Sequence, residues 1–302
     1  MLRSLIKRAY GSAHLEQQYL DMVGDIISGD NCEKGRNGDV VASVGGSMYF
    51  DLSNGTMPLL TSKKVAWKTC LKELLWFIKG STSNSLLKEQ NVHIWDANAS
   101  REFLDSRGLL SRQVDDLGPV YGHQWRHFNA SYDTCDTDYT GKGVDQLANV
   151  INALKDPSER SSRRIIMSAW NPNQLDEMAL PPCHILAQFN VLQSNKLSCS
   201  LYQRSCDMGL GVPFNIASYS FLTHLLAKHC NLEADSFFYH MGNCHVYSDH
   251  VEPLSQQILR KPLPFPTVDI KIQKQSIEDY TVSDFELSNY QFHPPVIMKM
   301  RQ

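Results

Sequence analysis

Apolar and polar positions alternate with two distinct periods along this chain. Leu15, Tyr19, Met22, Val23, Ile26 and Ile27 recur at helical spacing, and Gly29 follows them, so a helix with one apolar stripe is predicted there. A second helical run covers residues 66–78 and stops before Gly80. A third is marked by Ile216, Tyr219, Leu222, Leu225 and Leu226. Elsewhere the period is two. Leu197, Cys199 and Leu201 alternate with Ser198 and Ser200, and Val268, Ile270 and Ile272 alternate with Asp269, Lys271 and Gln273. Residues 164–170 and 184–192 are apolar-rich throughout and predict more deeply buried strands. Residues 129–143, rich in Asp, Thr and Gly, predict a long loop. Helices and strands mix without a βαβ rhythm, which predicts an α+β fold.

Composition narrows the class. The chain has 302 residues, 42% hydrophobic and 20% charged, with a formal net charge of −3. That suits a globular domain with a substantial core and no global basic field for nucleic acid or membrane. No apolar run reaches the ~18 residues needed to cross a bilayer. Eight cysteines occur without a Cys-x-x-Cys pair, and no secretory signal precedes them, so reduced thiols are expected. The Asn-x-Ser/Thr triplets at Asn54, Asn98 and Asn129 are then chance matches. Residues 1–15 carry Arg3, Lys7 and Arg8 and no acid, as a frayed basic tail or a presequence does. The expected organisation is that extension followed by one catalytic domain over 16–302. The expected compartment is the cytoplasm, with mitochondrion and nucleus as alternatives.

Several residues could carry chemistry. Pro181-Pro182 fixes the backbone before Cys183, presenting that thiol at a strand entrance. A nearby cation would favour its nucleophilic thiolate, although an isolated cysteine is also a common small core hydrophobe. His184 is next in a predicted strand and points the other way, so it is not automatically the base for Cys183. Arg204-Ser205 ends one strand, Arg163-Arg164 leads into another, and Arg36 sits in a Gly-Arg-Asn-Gly turn. Guanidinium forks with a serine hydroxyl suit a phosphate dianion. Glu73 lies around the helix from Lys68, Lys72 and Lys79, nearer Cys70, Trp76 and Phe77. A buried carboxylate there would have a raised pKa suited to proton transfer, whereas a rim glutamate would reach water. His240, Cys244, His245 and His250 match no zinc spacing, so no metal is expected.

In one register from about Glu16 to Lys299, the ordered segments closely resemble thymidylate synthase. They are Glu73-Leu74-Leu75-Trp76-Phe77, Ile94-Trp95-Asp96, Asp116-Leu117-Gly118-Pro119-Val120-Tyr121-Gly122, Arg163-Arg164-Ile165-Ile166, Pro181-Pro182-Cys183-His184, Leu201 to Asp207, and Leu210 to Tyr219. No dihydrofolate reductase stretch accompanies them, so the monofunctional form is expected. The resemblance implies large mixed sheets stacked across a homodimer interface and flanked by helices. It implies conversion of dUMP to dTMP, with 5,10-methylenetetrahydrofolate as carbon donor and reductant. Cys183 would attack C6 of the uracil. Arg36, Arg204 and Ser205 would hold the phosphate, joined by Arg163 and Arg164 acting in the neighbouring subunit's site. Asn215 would pair with the uracil edge, and His245 and Tyr247 with the 3′-hydroxyl. Glu73 and Tyr121 would carry protons through water. Asp207 would bind at the nucleotide and pterin, while Trp95, Leu210, Gly211, Phe214 and Arg301 would border the folate.

Five departures qualify the resemblance. Asn37-Gly38-Asp39-Val40-Val41 follows Arg36 where the family usually has Thr-Gly-Thr-Gly-Thr, so Val40 would be strained if that position needs positive φ. Asn243 stands for the usual Asp, Asn190 for Tyr, and His123 for Phe or Lys. The chain ends Met300-Arg301-Gln302 where small apolar residues are usual, which predicts looser closure over folate. The alternatives are a non-catalytic or impaired dUMP-binding member and a dCMP or dUMP hydroxymethylase. The latter activity on dCMP is expected to place Asp at position 215.

Overall fold

The computed structural model describes residues 14–301 apart from Arg36 and Ser194. The proposed phosphate contact at Arg36 and nearly all of the basic extension therefore lie outside the described residues. In chain order, α1 (Gln17–Ile27) precedes β1 (Cys32–Gly35) and β2 (Gly38–Asp51). Five helices follow: α2 (Trp67–Ile78), α3 (Asn84–Lys88), α4 (Arg101–Ser106), α5 (Tyr121–His127) and α6 (Gln146–Lys155). Then come β3 (Ile166–Ser168), β4 (His184–Leu192), β5 (Lys196–Asp207), α7 (Gly211–His229), β6 (Glu233–Tyr247), α8 (Val251–Gln257), β7 (Thr267–Ile270) and β8 (Phe285–Ser288).

Six strands form one mixed sheet in the order β1-β2-β6-β5-β4-β3. Among the described residues, its only parallel pair is β5 with β6. Such a pair needs a crossover, and α7 supplies it, packing on both strands. Nearly every side of α7 is buried, so its apolar stripe is wider than its periodic positions suggested. Helix α2 packs against α7. Helix α1 shields the free edge of β2. The Gln18 side chain donates to the Tyr49 carbonyl at 2.9 Å and accepts from the Tyr49 N–H at 3.0 Å. Both backbone groups of Tyr49, which lies past the stretch of β2 that β1 pairs, are thereby satisfied.

Two irregularities turn the sheet toward the site. His184 pairs with Gln203 and Leu186 with Tyr202, leaving Ile185 as the extra residue of a bulge in β4. In β6, a Cβ on Gly242 would lie 2.9 Å from the Arg204 carbonyl oxygen and 3.0 Å from the Tyr202 hydroxyl. Only glycine permits that approach.

Two sequence expectations change. The runs at 164–170 and 184–192 form β3 and β4, but these strands are not buried on both faces. Ile166 and Leu186 are 40% and 37% exposed, and Tyr202, beside Leu186 on β5, is 43% exposed. The registers align Ser168, Leu186, Tyr202, His240 and Ser47 across five strands on one face. An apolar-rich strand thus does not by itself establish that both of its faces are covered by its own chain. Secondly, the 268–273 alternation ends at Ile270. That strand pairs with β8 in a separate two-stranded sheet, and Ile272 is exposed. Residues 129–143 form the expected loop, closed by a bridge between Phe128 and Val144.

Candidate active site

A cavity of about 690 Å³ opens where β5, β6 and the start of α7 meet the Pro181–Cys183 turn. Cys183, Glu73, Tyr121, Arg204, Asn215, Ser205, Asp207, His245 and Tyr247 all line it. So do Trp95, Leu210, Gly211, Phe214 and Arg301. Arg163 and Arg164 do not. They are exposed on the approach to β3, where the Arg163 carbonyl accepts from the Gln188 amide.

Cys183 is held from three directions. Its N–H donates to the Tyr121 hydroxyl at 2.7 Å. Its carbonyl accepts from the Arg204 N–H at 2.9 Å. The Arg204 side chain then donates from Nε to the Pro182 carbonyl at 2.8 Å and from Nη2 to the Pro181 carbonyl at 3.1 Å. The Trp170 ring lies 5.4 Å from this guanidinium. The cation is thereby fixed beside the turn that carries the thiol. His184 is turned away from the thiol. Its Nδ1 lies 2.7 Å from the Tyr219 hydroxyl, and its ring stacks on Tyr121 at 4.0 Å. Burial lowers its pKa to about 3, so it stays neutral and buttresses Tyr121.

Glu73 resolves in favour of the cavity wall. Burial raises its pKa to about 7, opposed by the Trp95 indole N–H donated to it at 2.7 Å. Burial, with Cys183 nearby, likewise pushes the Tyr121 phenol well above its usual range. The site therefore holds a carboxyl that titrates near neutrality and a phenol that stays protonated.

The remaining polar groups sit on strand ends. Asp207 accepts from the Gly209 N–H at 2.9 Å and the Gly211 N–H at 3.4 Å, fixing the turn into α7. Buried Lys63 donates to the Gly209 carbonyl, and burial lowers its pKa to about 8. His245 Nδ1 lies 2.9 Å from Asn243 Oδ1, so that nitrogen carries the proton and Nε2 is left as an acceptor. Burial lowers the His245 pKa and keeps it neutral.

Two departures look different in three dimensions. Gly38 takes the positive φ of 134° in the turn, while Val40 does not and is buried as an ordinary strand residue. The feared strain at Val40 is absent because its φ is not positive. The end of the chain is also anchored. Arg301 pairs with Asp249 at 2.6 Å, its guanidinium lies 5.9 Å from the Tyr247 ring, and His250 Nε2 donates to the Lys299 carbonyl at 2.8 Å. These contacts tie the last described residues to the segment at the end of β6. Asp249→Ala is expected to speed amide exchange over residues 298–301 by about two- to five-fold, the worth of a partly exposed ion pair. Unchanged exchange would assign the anchoring to the His250 contact.

Sequence reading missed Arg107, Asn98 and Gln203 as site residues and met Asn243 only as a departure from the family pattern, yet all four line the cavity. Arg107 follows a short helix without periodic signal. Gln203 is buried, and its Oε1 accepts from the Tyr239 hydroxyl at 2.7 Å. Among the described residues, no group of three or more His, Cys, Asp or Glu side chains could hold a metal ion.

Comparison with known proteins agrees with this geometry. The thymidylate synthase family model matches residues 17–302. The chain is 51% identical over 295 residues to the thymidylate synthase of Saccharomyces cerevisiae, covering 94% of this chain and 96% of that one. It is 52% identical over 288 residues to the bifunctional dihydrofolate reductase-thymidylate synthase of Plasmodium chabaudi, covering 95% of this chain and 49% of that one. It is also 52% identical over 297 residues to a probable thymidylate synthase of Schizosaccharomyces pombe, covering 94% and 47%. The chain thus spans about half the length of several curated relatives that it matches.

Proposed function

The chain belongs to the thymidylate synthase family, and on that premise we propose that it methylates dUMP reductively to dTMP, consuming 5,10-methylenetetrahydrofolate and releasing dihydrofolate. The observation that carries this reading is the convergence of Cys183, Arg204, Asn215 and Glu73 on one cavity, with the Arg204 guanidinium bonded to the turn that holds the thiol.

The steps follow from the groups present. Cys183 Sγ adds to C6 of the uracil, and C5 becomes nucleophilic enough to take the methylene carbon. Loss of the C5 proton, elimination of the folate and hydride transfer from it complete the product, and the thiolate leaves. Covalent addition divides one difficult substitution into easier steps. Glu73 and Tyr121 pass protons through water near the ring. The Asn215 amide can donate to O4 and accept from N3–H, whereas cytosine presents the opposite pattern. That pairing disfavours the dCMP hydroxymethylase alternative. His245 Nε2 and the Tyr247 hydroxyl address the deoxyribose 3′-hydroxyl. Trp95, Leu210, Gly211 and Phe214 wall the folate, with Asp207 at the pterin and Arg301 at the closing end.

Phosphate binding is assigned to Arg204, Ser205 and Arg36, with Arg163 and Arg164 of the partner subunit. A homodimer packed through the exposed face of Leu186 and Tyr202 would cover apolar surface and carry those two arginines to the second cavity. Mixing tests this. Cys183→Ser and an Arg163→Glu/Arg164→Glu double variant are each expected to be inactive. After subunit exchange they should recover about a quarter of wild-type activity, because half the dimers then hold one complete site of two. No recovery in exchanged dimers counts against shared sites. The activity itself is tested by following dihydrofolate formation with dUMP, which should proceed, and with dCMP, which should not.

A further inference from the structure

Two thiols that the proposed reaction does not use lie side by side in the sheet. Cys206 on β5 is in register with Cys244 on the parallel neighbour β6. Adjacent strands are about 4.8 Å apart, which falls within the Cα separation of about 4.4–6.8 Å that a disulfide spans. Both residues are almost wholly buried, and their side chains hydrogen-bond to one another. Neither is bonded to any cysteine at present. Cys244, but not Cys206, borders a second cavity of about 210 Å³ between α1 and the β2–β6 surface, lined also by Asp21, Met22, Ser43 and Ser47. A small oxidant entering there meets Cys244 first.

We propose that Cys206 and Cys244 form a peroxide-oxidisable dithiol that closes to a disulfide between β5 and β6. In the first step, the Cys244 thiolate attacks a peroxide oxygen. The O–O bond breaks, and Cys244 becomes a sulfenic acid with release of hydroxide. In the second step, Cys206 Sγ attacks Cys244 Sγ. The S–S bond forms, and the hydroxyl leaves as water with the Cys206 proton. Two thiols have lost two electrons in all, and one peroxide has been reduced to two waters. The hydrogen bond from Cys206 holds the Cys244 thiol below its ordinary pKa, as a first-oxidised thiol requires. The hydrogen bond to Cys244, and then burial, push Cys206 the other way, as suits a resolving thiol. The disulfide would tie together the strands that carry Arg204, Ser205 and Asp207 on one side and Asn243, His245 and Tyr247 on the other.

Non-reducing peptide mapping after hydrogen peroxide treatment of the full-length native protein tests the assignment, with free thiols alkylated during unfolding. The expected result is a Cys206–Cys244 linked peptide that disappears on reduction. In Cys206→Ser, Cys244 should instead be trapped by a sulfenic-acid probe. In Cys244→Ser, Cys206 should remain fully alkylatable. Complete alkylation of both residues in wild-type protein whose Cys183 has been oxidised would overturn the proposal, as would a disulfide that joins either of them to Cys183.

Discussion

Cys183→Ser is expected to lower kcat by about four orders of magnitude or more while leaving dUMP binding and the fold in place. The serine hydroxyl is a far weaker nucleophile at neutral pH, and nothing else bordering the cavity can replace the thiolate. His184 cannot rescue it as a base, because its ring is neutral, stacked on Tyr121 and directed at Tyr219. The Cys183 backbone contacts to Tyr121 and Arg204 do not depend on sulfur. Thermal unfolding near that of wild type, with dUMP affinity within a few-fold, is therefore the accompanying result. Substantial turnover by Cys183→Ser would show that the bond to uracil forms elsewhere or not at all.

Glu73→Gln should produce the next largest loss, about 10²- to 10⁴-fold in kcat, the usual worth of a positioned proton-transfer group. Gln can still accept from the Trp95 indole, so the loss reports proton transfer more than packing. The wild-type rate should rise with pH through about 7 as Glu73 ionises, and that limb should vanish in the variant. Stability carries the opposite sign. Below the ordinary glutamate pKa of 4.5, the side chain is protonated in both folded and unfolded chains and contributes nothing. As pH rises, the unfolded chain ionises freely while the fold resists. The wild type loses stability up to about 7 and keeps a constant deficit of roughly 3 kcal/mol above it. Glu73→Gln should thus melt above wild type at about pH 8 and close to it at about pH 4. Parallel melting curves across that range would contradict burial of this carboxylate.

How much of this was legible beforehand depends on where each residue finds its partners. Helices α1 and α2 were readable because each buries one stripe on the core. The ends of α7 were harder to set, since almost its whole circumference is buried. The two longest strands, β2 and β6, left little trace. Gly45, Gly46 and Gly242 interrupt them, and polar residues near the cavity break their alternation. Cys183 stood out because two prolines precede it, and Arg204 because it ends an alternating strand. Glu73 could not be decided from helix geometry, because whether a carboxylate meets water depends on residues far along the chain. Trp95 supplies that answer. The pairing of Cys206 with Cys244 was invisible for the same reason. It follows from strand register across α7, not from any sequence spacing. Val40 shows the converse error. A missing glycine in a motif suggested strain that the actual φ angles do not contain.

The central claim is that a thiolate at position 183 adds to the pyrimidine and thereby frees the hydrogen at C5. Release of tritium from 5-tritiated dUMP measures that step directly. With 5,10-methylenetetrahydrofolate present, wild-type protein should release tritium to water in step with dTMP formation, and Cys183→Ser should release none. Folded wild-type protein that binds the nucleotide and still retains the label would contradict the account.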